Sequence, residues 1–252
     1  MIHFVGAGCG APDLITIRGA RLLSEADVVI YAGSLVNPAL LEYTKPGCEI
    51  HDSAYMTLEE VLDVMNKAEA EGKTTVRLHT GDPSIYGAVR EQFDHLDMLG
   101  IEYDVCPGVS AFCGAAASLK AEYTLPDVSQ TVIITRMEGR TPVPERERIR
   151  SLAAHGSTMI LFLSTGLLEQ LSAELIAGGY DADTPAAIVY KATWPDQKTF
   201  LCTVGTLAQC AKENNITKTA LMLIGDAVLH TAYRRSDLYN PNFTTEFREA
   251  RQ

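Results

Sequence analysis

Short apolar runs alternate with longer stretches of helical spacing along most of the chain. At the start, Ile2–Val5 and Val28–Tyr31 are apolar runs of strand length, and Thr16–Ala26 between them has apolar residues at helical spacing. The alternation continues and predicts a helix at about Thr57–Glu71, a strand at Val76–His79, a helix at about Ser84–Leu99, a strand at Ile101–Cys106 and a helix at Ser110–Leu119. Such alternation indicates a largely parallel sheet that is covered by helices.

The pattern is interrupted near Lys120–Gln130, and a second series then begins. This series predicts strand Val132–Arg136, a helix around Pro144–His155, strand Thr158–Leu163, helix Leu167–Ala177, strands Ala187–Lys191 and Thr199–Val204, helix Gly205–Asn214 and strand Ala220–Ile224. The predicted fold class is therefore α/β, with tandem domains at residues 1–119 and 120–230 and a tail at residues 231–252. We expect ligands to bind at strand ends and in a cleft between the domains.

Charge and composition narrow the class of partner. The chain has 21 basic and 32 acidic residues, a formal net charge of −11, so its surface repels nucleic acid phosphates. No apolar run approaches the roughly 20 residues of a membrane span, and the first residues lack an export signal, which predicts a cytoplasmic protein.

The six cysteines form no CxxC pair and the histidines are scattered, so we predict free thiols and no metal site. A small molecule is the expected partner.

Three of the predicted strands end in turns that could contact a ligand. These turns are Gly6–Thr16, His79–Gly87 and Pro107–Phe112. Because the carboxyl ends of parallel strands meet at one edge of the sheet, we expect the three turns to form one rim. Each turn also has a structural explanation, since glycines allow tight turns and Asp82 or Ser110 could cap the helix that follows.

The first turn only partly matches a dinucleotide-binding fingerprint. The pattern G-x-G-x-x-G would need a third glycine at position 11, where this chain has Ala11. Pro12 then delays the helix whose N-terminus would receive a pyrophosphate. An NAD-dependent oxidoreductase is therefore an alternative that these two residues oppose.

An arginine-bearing segment is a candidate for binding an anionic ligand. Two prolines favour an extended conformation for Thr135–Pro144. Arg136 and Arg140 within it could form bidentate hydrogen bonds with carboxylates. A solvated run of charge is the alternative, and it is the favoured explanation for the arginines at 146, 148 and 150.

A second candidate for ligand binding is Tyr190–Pro195, at the end of a predicted strand. It places Lys191 near Trp194, the only tryptophan of the chain. A cation and a flat aromatic side chain could line the site of a macrocyclic ligand, and a packed hairpin turn is the structural alternative.

Taken together, these segments resemble the tetrapyrrole methylase family, in the same order from Gly6 to about Ile224. The resemblance implies two α/β domains with S-adenosylmethionine bound in the cleft between them. One departure is that the family usually has proline and aspartate where this chain has Cys9 and Ala11. No role of an aspartate at that position is carried over, and Asp13 is the nearest substitute.

The resemblance also implies which residues contact the cofactor, several of them through backbone groups. They are Pro12, Gly81, Asp82, Ile85, Tyr86, Ser110, Ala111, Leu163, Tyr190, Thr219, Ala220 and Leu221. The existence of a general base stays open, and the candidates near the predicted rim are Asp82, Tyr86 and His79.

The later segments make the resemblance narrower. Thr135–Pro144 and Tyr190–Pro195 are similar to the members of the family that methylate C11 of precorrin-4 or cobalt-precorrin-4 in cobalamin biosynthesis. The implied protein is a homodimeric C-methyltransferase that binds an anionic tetrapyrrole through Arg136, Arg140, Lys191 and Trp194. Methylation of a different ring carbon and a non-catalytic tetrapyrrole-binding protein are the further alternatives.

Overall fold

The computed structural model describes residues 1–229 and 233–250, which form two compact units. The first unit contains Met1–Gly114 together with the short segment Ala192–Asp196. The second contains Ala115–Lys191 and the described residues from Gln197 onward. The sequence did not predict that residues 192–196 pack within the first unit. The predicted domain limits at residue 119 and residue 231 stay predictions.

The first unit is built on a five-stranded parallel sheet with the order β3-β2-β4-β1-β5. Its strands are β1 (Ile2–Gly6), β2 (Val28–Tyr31), β3 (Glu49–Asp52), β4 (Thr75–His79) and β5 (Tyr103–Cys106). Its helices are α1 (Ile17–Glu25), α2 (Leu58–Ala70), α3 (Arg90–Leu99) and α4 (Ala111–Leu119), the last of which spans the limit between the units. The predicted capping box is confirmed, because Thr57 and Glu60 exchange hydrogen bonds at the start of α2.

Both faces of this first sheet are covered by apolar side chains. Alternation along β1 places Val5 in a cluster with Leu23 of α1, and Phe4 in a second cluster with Met65 of α2 and Leu96 of α3. The predicted parallel sheet covered by helices is thus confirmed for this unit.

The second unit is built on a mixed sheet with the order β6-β7-β10-β8-β9. Its strands are β6 (Val132–Arg136), β7 (Thr158–Phe162), β8 (Pro185–Tyr190), β9 (Lys198–Thr203) and β10 (Ala220–Ile224). Its helices are α5 (Ile149–Ala153), α6 (Leu168–Gly178) and α7 (Leu207–Glu213). Only β6 and β7 pair in parallel, since β10 is antiparallel to β7 and β8, and β8 is antiparallel to β9. Leu171 and Leu175 of α6 pack with Met159 and Met222 in its core.

The predicted helix Ser84–Leu99 is wrong in its first part, because α3 begins only at Arg90. Tyr86 and Ala88 have positive φ angles of 54° and 49°, which a right-handed helix does not contain. The chain therefore makes an irregular turn between β4 and α3, at one of the segments predicted to bind ligand.

The predicted helix Pro144–His155 is also shorter in the structure. A 3-10 turn covers Glu145–Glu147, and Arg148 then has an extended backbone before α5 begins. The edge strand β3 was not predicted, because its sequence, EIHD, has neither an apolar run nor clear alternation. Among the described residues, no helix is both long enough and apolar enough to cross a membrane.

Candidate functional site

Two of the predicted ligand-binding turns are hydrogen-bonded to each other at the carboxyl edge of the first sheet. The N–H of Ala7 donates to the carbonyl of His79 at 2.7 Å. Gly8 and Gly81 exchange backbone hydrogen bonds of 2.9 and 3.3 Å. These bonds arise because β4 and β1 are neighbours in the sheet, so the turns that follow them leave it side by side.

The third predicted turn joins the same rim through a close backbone approach. A Cβ atom at Gly108 would lie 2.2 Å from the Gly81 carbonyl oxygen and 2.7 Å from the Gly6 Cα. Those distances are far below any real contact, so only glycine permits the three turns to meet here. The prediction of one rim made of three turns is therefore confirmed within the first unit.

Asp82 serves as a hydrogen-bond acceptor that joins two of these turns. Its carboxylate accepts the N–H of Gly108 at 2.8 Å and the N–H of Ser84 at 2.9 Å, and the Ser84 hydroxyl also donates to it. Burial opposes ionisation of this carboxyl, but the three hydrogen bonds outweigh that effect and lower its pKa. Asp82 does not cap α3, which begins eight residues later without a side-chain cap. A carboxylate held in this way is a poor proton acceptor.

His79, another candidate base, has a buried side chain. Its ring stacks on Phe4 with centroids 6.0 Å apart, and its Nε2 has no hydrogen-bond partner among the described residues. Burial and the nearby charge of Arg77 lower the pKa of His79 to about 3. The imidazole is therefore neutral at physiological pH and weakly basic, which does not favour catalysis of proton transfer.

Tyr86 is the candidate base that lies on the surface. Its side chain is 46% exposed, and it belongs to the irregular turn that also contains Ile85. Ser110 and Ala111 lie at the start of α4, and the Ser110 Cα is 3.4 Å from where a Cβ of Gly81 would lie. Several predicted cofactor contacts of the first unit thus lie together.

The first turn is held by hydrogen bonds to Asn37 and Thr193 that the sequence did not predict. Pro12 begins a 3-10 turn that ends at Leu14. Just before it, the Asn37 side chain donates to the carbonyl of Gly10 at 2.8 Å, and the N–H of Ala11 donates to the Thr193 hydroxyl at 3.0 Å. Nothing in the local pattern around Asn37 or Thr193 indicates these partners, because both bonds connect segments that are distant in sequence.

The remaining predicted cofactor contacts lie at one edge of the second sheet. Leu163 follows β7 and Tyr190 ends β8, while Thr219, Ala220 and Leu221 mark the start of the antiparallel β10. Strand direction places these ends on the same side of the sheet.

This edge also concentrates unusual backbone conformations. Leu163, Lys191 and Thr219 have φ angles of 53°, 45° and 56°, and the N–H of Lys191 donates to the carbonyl of Thr219 at 3.0 Å. Non-glycine residues in the left-handed region are uncommon and cluster at functional sites. The edge therefore has the character of a binding site that is formed mainly by the backbone.

The arginines of the predicted anion-binding segment have different surroundings. The Arg136 guanidinium donates to the backbone carbonyls of Met137, Thr141 and Pro142, so it holds its own loop together. Arg140, within that loop, is exposed. Lys191 extends over the ring of Tyr190, with Nζ 5.4 Å from the ring centroid.

The other arginines of this region pair with acidic side chains, as a solvated run of charge would. Arg146 lies 3.7 Å from Glu147, Arg148 lies 3.5 Å from Glu138, and Arg150 lies 3.2 Å from Glu174. The described part of the chain contains no group of three or more His, Cys, Asp or Glu residues that could hold a metal ion.

Comparison with known proteins gives a consistent set of similarities. The family model of the tetrapyrrole (corrin/porphyrin) methylases matches residues 1–208. A cobalt-precorrin-4 C(11)-methyltransferase of Methanocaldococcus jannaschii is 54% identical over 249 residues, 99% of this chain and 96% of that protein. A precorrin-4 C(11)-methyltransferase of a Sinorhizobium species is 44% identical and covers 98% of both chains.

Solved structures agree with these sequence similarities. The X-ray structure of a cobalt precorrin-4 methyltransferase, a cobalamin biosynthetic enzyme, has 48% identity and a TM-score of 0.88, and covers 90% of this chain and 95% of that one. The uroporphyrin-III C-methyltransferase of Thermus thermophilus, complexed with S-adenosylhomocysteine, has 25% identity and a TM-score of 0.74, and covers 93% and 96%.

Proposed function

Because this chain belongs to the tetrapyrrole methylase family, we propose that it transfers the methyl group of S-adenosylmethionine to C11 of precorrin-4 or cobalt-precorrin-4. The observation that carries this proposal is the 54% identity to a cobalt-precorrin-4 C(11)-methyltransferase across 99% of the chain. Similarity of this extent leaves little of the chain outside the comparison. The enzyme is thus a methyltransferase of corrin ring biosynthesis.

The residues at the two edges suit a sulfonium cofactor. When bound, S-adenosylmethionine supplies a methyl group that a nucleophilic ring carbon can attack, with the bond to sulfur breaking and S-adenosylhomocysteine leaving as a neutral thioether. The family resemblance implies that Gly81 in the rim of the first unit and Leu163 and Thr219 of the second contact the cofactor, and all three have positive φ angles. Backbone groups can hydrogen-bond the amine, carboxylate and hydroxyls of such a molecule without adding a reactive side chain.

The protein's contribution to the rate is mainly alignment. Positioning of two reactants can remove about 7–11 kcal/mol from a barrier, so the reaction needs no nucleophile from the protein. Asp82 and His79 fit this view, because the first has its carboxylate occupied by hydrogen bonds and the second is buried. Tyr86 is the candidate base with an exposed side chain.

A polycarboxylate substrate requires local positive charge on an acidic protein. We propose Arg140, which is exposed, for this role together with Lys191, whose N–H donates to the carbonyl of Thr219. Arg136 stabilises the loop that contains Arg140, because its guanidinium donates to backbone carbonyls of that loop. We further propose that the enzyme is a cytoplasmic homodimer, as the resemblance to its family implies.

Product analysis tests the proposed function directly. The protein is incubated with methyl-labelled S-adenosylmethionine and precorrin-4, with and without cobalt in the ring, and the product is examined by NMR. A single labelled methyl on C11 is expected, and the faster of the two reactions identifies the natural substrate. Label on another carbon would replace the proposal by a different precorrin methylation, and absence of transfer from a protein that binds the ring would indicate a carrier.

A further inference from the structure

The tip of the β8–β9 hairpin packs within the first unit, although both strands of that hairpin belong to the second. The tip is the segment Ala192–Asp196. Its Thr193 hydroxyl accepts the N–H of Ala11 at 3.0 Å and donates to Cys9 Sγ at 3.4 Å. One side chain thus bonds two residues of the first turn, which lie more than 180 positions earlier in the chain.

Trp194 and Ala192 enclose the glycine that lies between those two residues. A Cβ atom at Gly10 would lie 2.3 Å from Cδ1 of Trp194 and 2.8 Å from the carbonyl oxygen of Ala192. Since real Cβ atoms do not approach so closely, the indole ring lies directly on the backbone of the turn. Asn37 donates to the carbonyl of Gly10 at 2.8 Å, so Gly10 is held by two segments that are distant in sequence, the tip and the region of Asn37.

The backbone of the tip is itself in an unusual conformation. Thr193 has a φ of 68°, which is rare for a residue with a branched Cβ. Its methyl group packs tightly on α4, because a Cβ at Gly114 would be 3.0 Å from Cγ2 of Thr193. Such a conformation persists only where the surrounding contacts determine it, and here those contacts include α4 and, through Ala11 and Cys9, the first turn.

We propose that Thr193 and Trp194 are positioning residues that hold residues 8–12 in the conformation that binds S-adenosylmethionine. This inference rests on the proposed function, because Pro12 of the same turn is among the predicted cofactor contacts. The two side chains act through the turn. A turn without them would sample several conformations, and the apparent affinity would fall by the fraction of molecules that remain competent to bind.

The test compares variants that keep or remove the Thr193 hydroxyl. Thr193→Val preserves the branched shape but leaves the N–H of Ala11 without its acceptor, and Thr193→Ser retains the hydroxyl. We expect the dissociation constant of S-adenosylhomocysteine, measured by calorimetry, to rise about tenfold in Thr193→Val and to stay within about twofold in Thr193→Ser. Thr199→Val, an exposed position of β9, is the matched control and should bind as the wild type does.

Kinetics and fluorescence separate positioning from a general loss of structure. In Thr193→Val, the KM for S-adenosylmethionine should rise while kcat and the KM for the tetrapyrrole stay near their wild-type values. Trp194 is the only tryptophan, so its emission reports directly on the turn, and S-adenosylhomocysteine should change it in the wild type. If Thr193→Val does not fold, Thr193→Ala is measured in its place, with the same expected rise.

Three results would overturn the inference. They are a wild-type dissociation constant in Thr193→Val, an equal loss of affinity in Thr193→Ser, and a parallel rise in the KM of both substrates. Failure of the proposed function gives a different result, because it would appear in the wild-type protein itself, either as no binding of S-adenosylhomocysteine or as label on a ring carbon other than C11.

Discussion

At the scale of single residues, Asp82 illustrates how a candidate catalytic carboxylate has a structural role. It lies at the rim where a ligand is expected, yet its oxygens accept two backbone N–H groups from different turns. An asparagine offers one acceptor oxygen in place of two, so one of these N–H groups would lose its partner. The role of Asp82 is therefore to fix the shape of the rim.

The structural role of Asp82 predicts a loss of stability when its charge is removed. We expect Asp82→Asn to lower the free energy of unfolding by about 1–3 kcal/mol, the cost of unpairing a hydrogen bond to a charged group. Urea titration measures this change. Asp13→Asn, an exposed carboxylate in the first turn, is the control and should change stability by less than about 0.5 kcal/mol. A stability of Asp82→Asn equal to that of the wild type would contradict the structural role.

The low pKa of the buried His79 side chain predicts how the stability of the protein depends on pH. Its pKa is about 3 in the folded protein and near 6.5 in the unfolded chain. Between these values the unfolded state binds more protons, so stability must rise with pH and fall as the pH drops below 6.5. At pH 5 this one group should remove about 2 kcal/mol, because each pH unit is worth about 1.4 kcal/mol.

Replacing His79 should reduce that pH dependence. In His79→Leu, the loss of stability from pH 7 to pH 5 should be smaller by about 2 kcal/mol, measured by urea unfolding at several pH values. His155→Leu removes an exposed histidine and should keep the wild-type slope. If the two variants have the same slope, His79 is not the group responsible.

At the scale of elements, three strands have a residue of left-handed backbone conformation directly beside one end, all at the same edge of the second sheet. Leu163 follows β7, Lys191 follows β8 and Thr219 precedes β10, and none of them is glycine. Left-handed backbone costs an ordinary residue about 1–2 kcal/mol. The edge therefore keeps a strained conformation where predicted cofactor contacts lie.

Glycine at position 219 should relieve part of this strain. Thr219→Gly is expected to raise the free energy of unfolding by up to about 1 kcal/mol, since the relief slightly exceeds the entropic cost of glycine. Thr199→Gly, within strand β9, should instead lower it by about 0.5–1 kcal/mol. Thermal unfolding of both variants measures whether each substitution raises or lowers the free energy of unfolding. A decrease in Thr219→Gly would mean that the threonine side chain has its own stabilising contacts.

The elements themselves were largely predictable, whereas several tertiary partners were not. Burial imposes the apolar periodicity, so strands such as β4 and helices such as α2 follow from the sequence. The predicted start of α3 was wrong because Tyr86 and Ala88, residue types that helices commonly contain, have left-handed backbone conformations in the structure. Similarly, the pattern around Thr193 contains no information about Ala11, because that hydrogen bond depends on the folded chain.

The arginine segment shows the same limit for the candidate site. Charge and spacing identified Arg136 and Arg140 equally, since a guanidinium carries five donors wherever it lies. In the structure the donors of Arg136 reach three carbonyls of its own loop, while Arg140 extends from that loop. Only the backbone path from Met137 to Pro142 distinguishes the two, and the sequence pattern does not encode it.

At the scale of the whole molecule, a net charge of −11 opposes the approach of a polyanionic ring. Binding must therefore depend on a few cations that contact the ring directly. The two explanations predict different affinities for arginine variants. Removal of any arginine changes the net charge equally, so an effect of net charge would lower the affinity for the tetrapyrrole equally in every variant. Only removal of a contacting arginine should change affinity strongly.

Arg140 and Arg146 form a matched pair for this comparison, since both are exposed and lie six positions apart. We expect Arg140→Ala to raise the dissociation constant of the tetrapyrrole about tenfold or more, because a charge-assisted contact contributes about 1.5–3 kcal/mol. The affinity for S-adenosylhomocysteine should not change. Arg146→Ala removes the same charge from a side chain that pairs with Glu147 and should leave both affinities near wild type. Calorimetry with each ligand decides the matter, because equal losses in the two variants would assign binding to the overall field and not to Arg140.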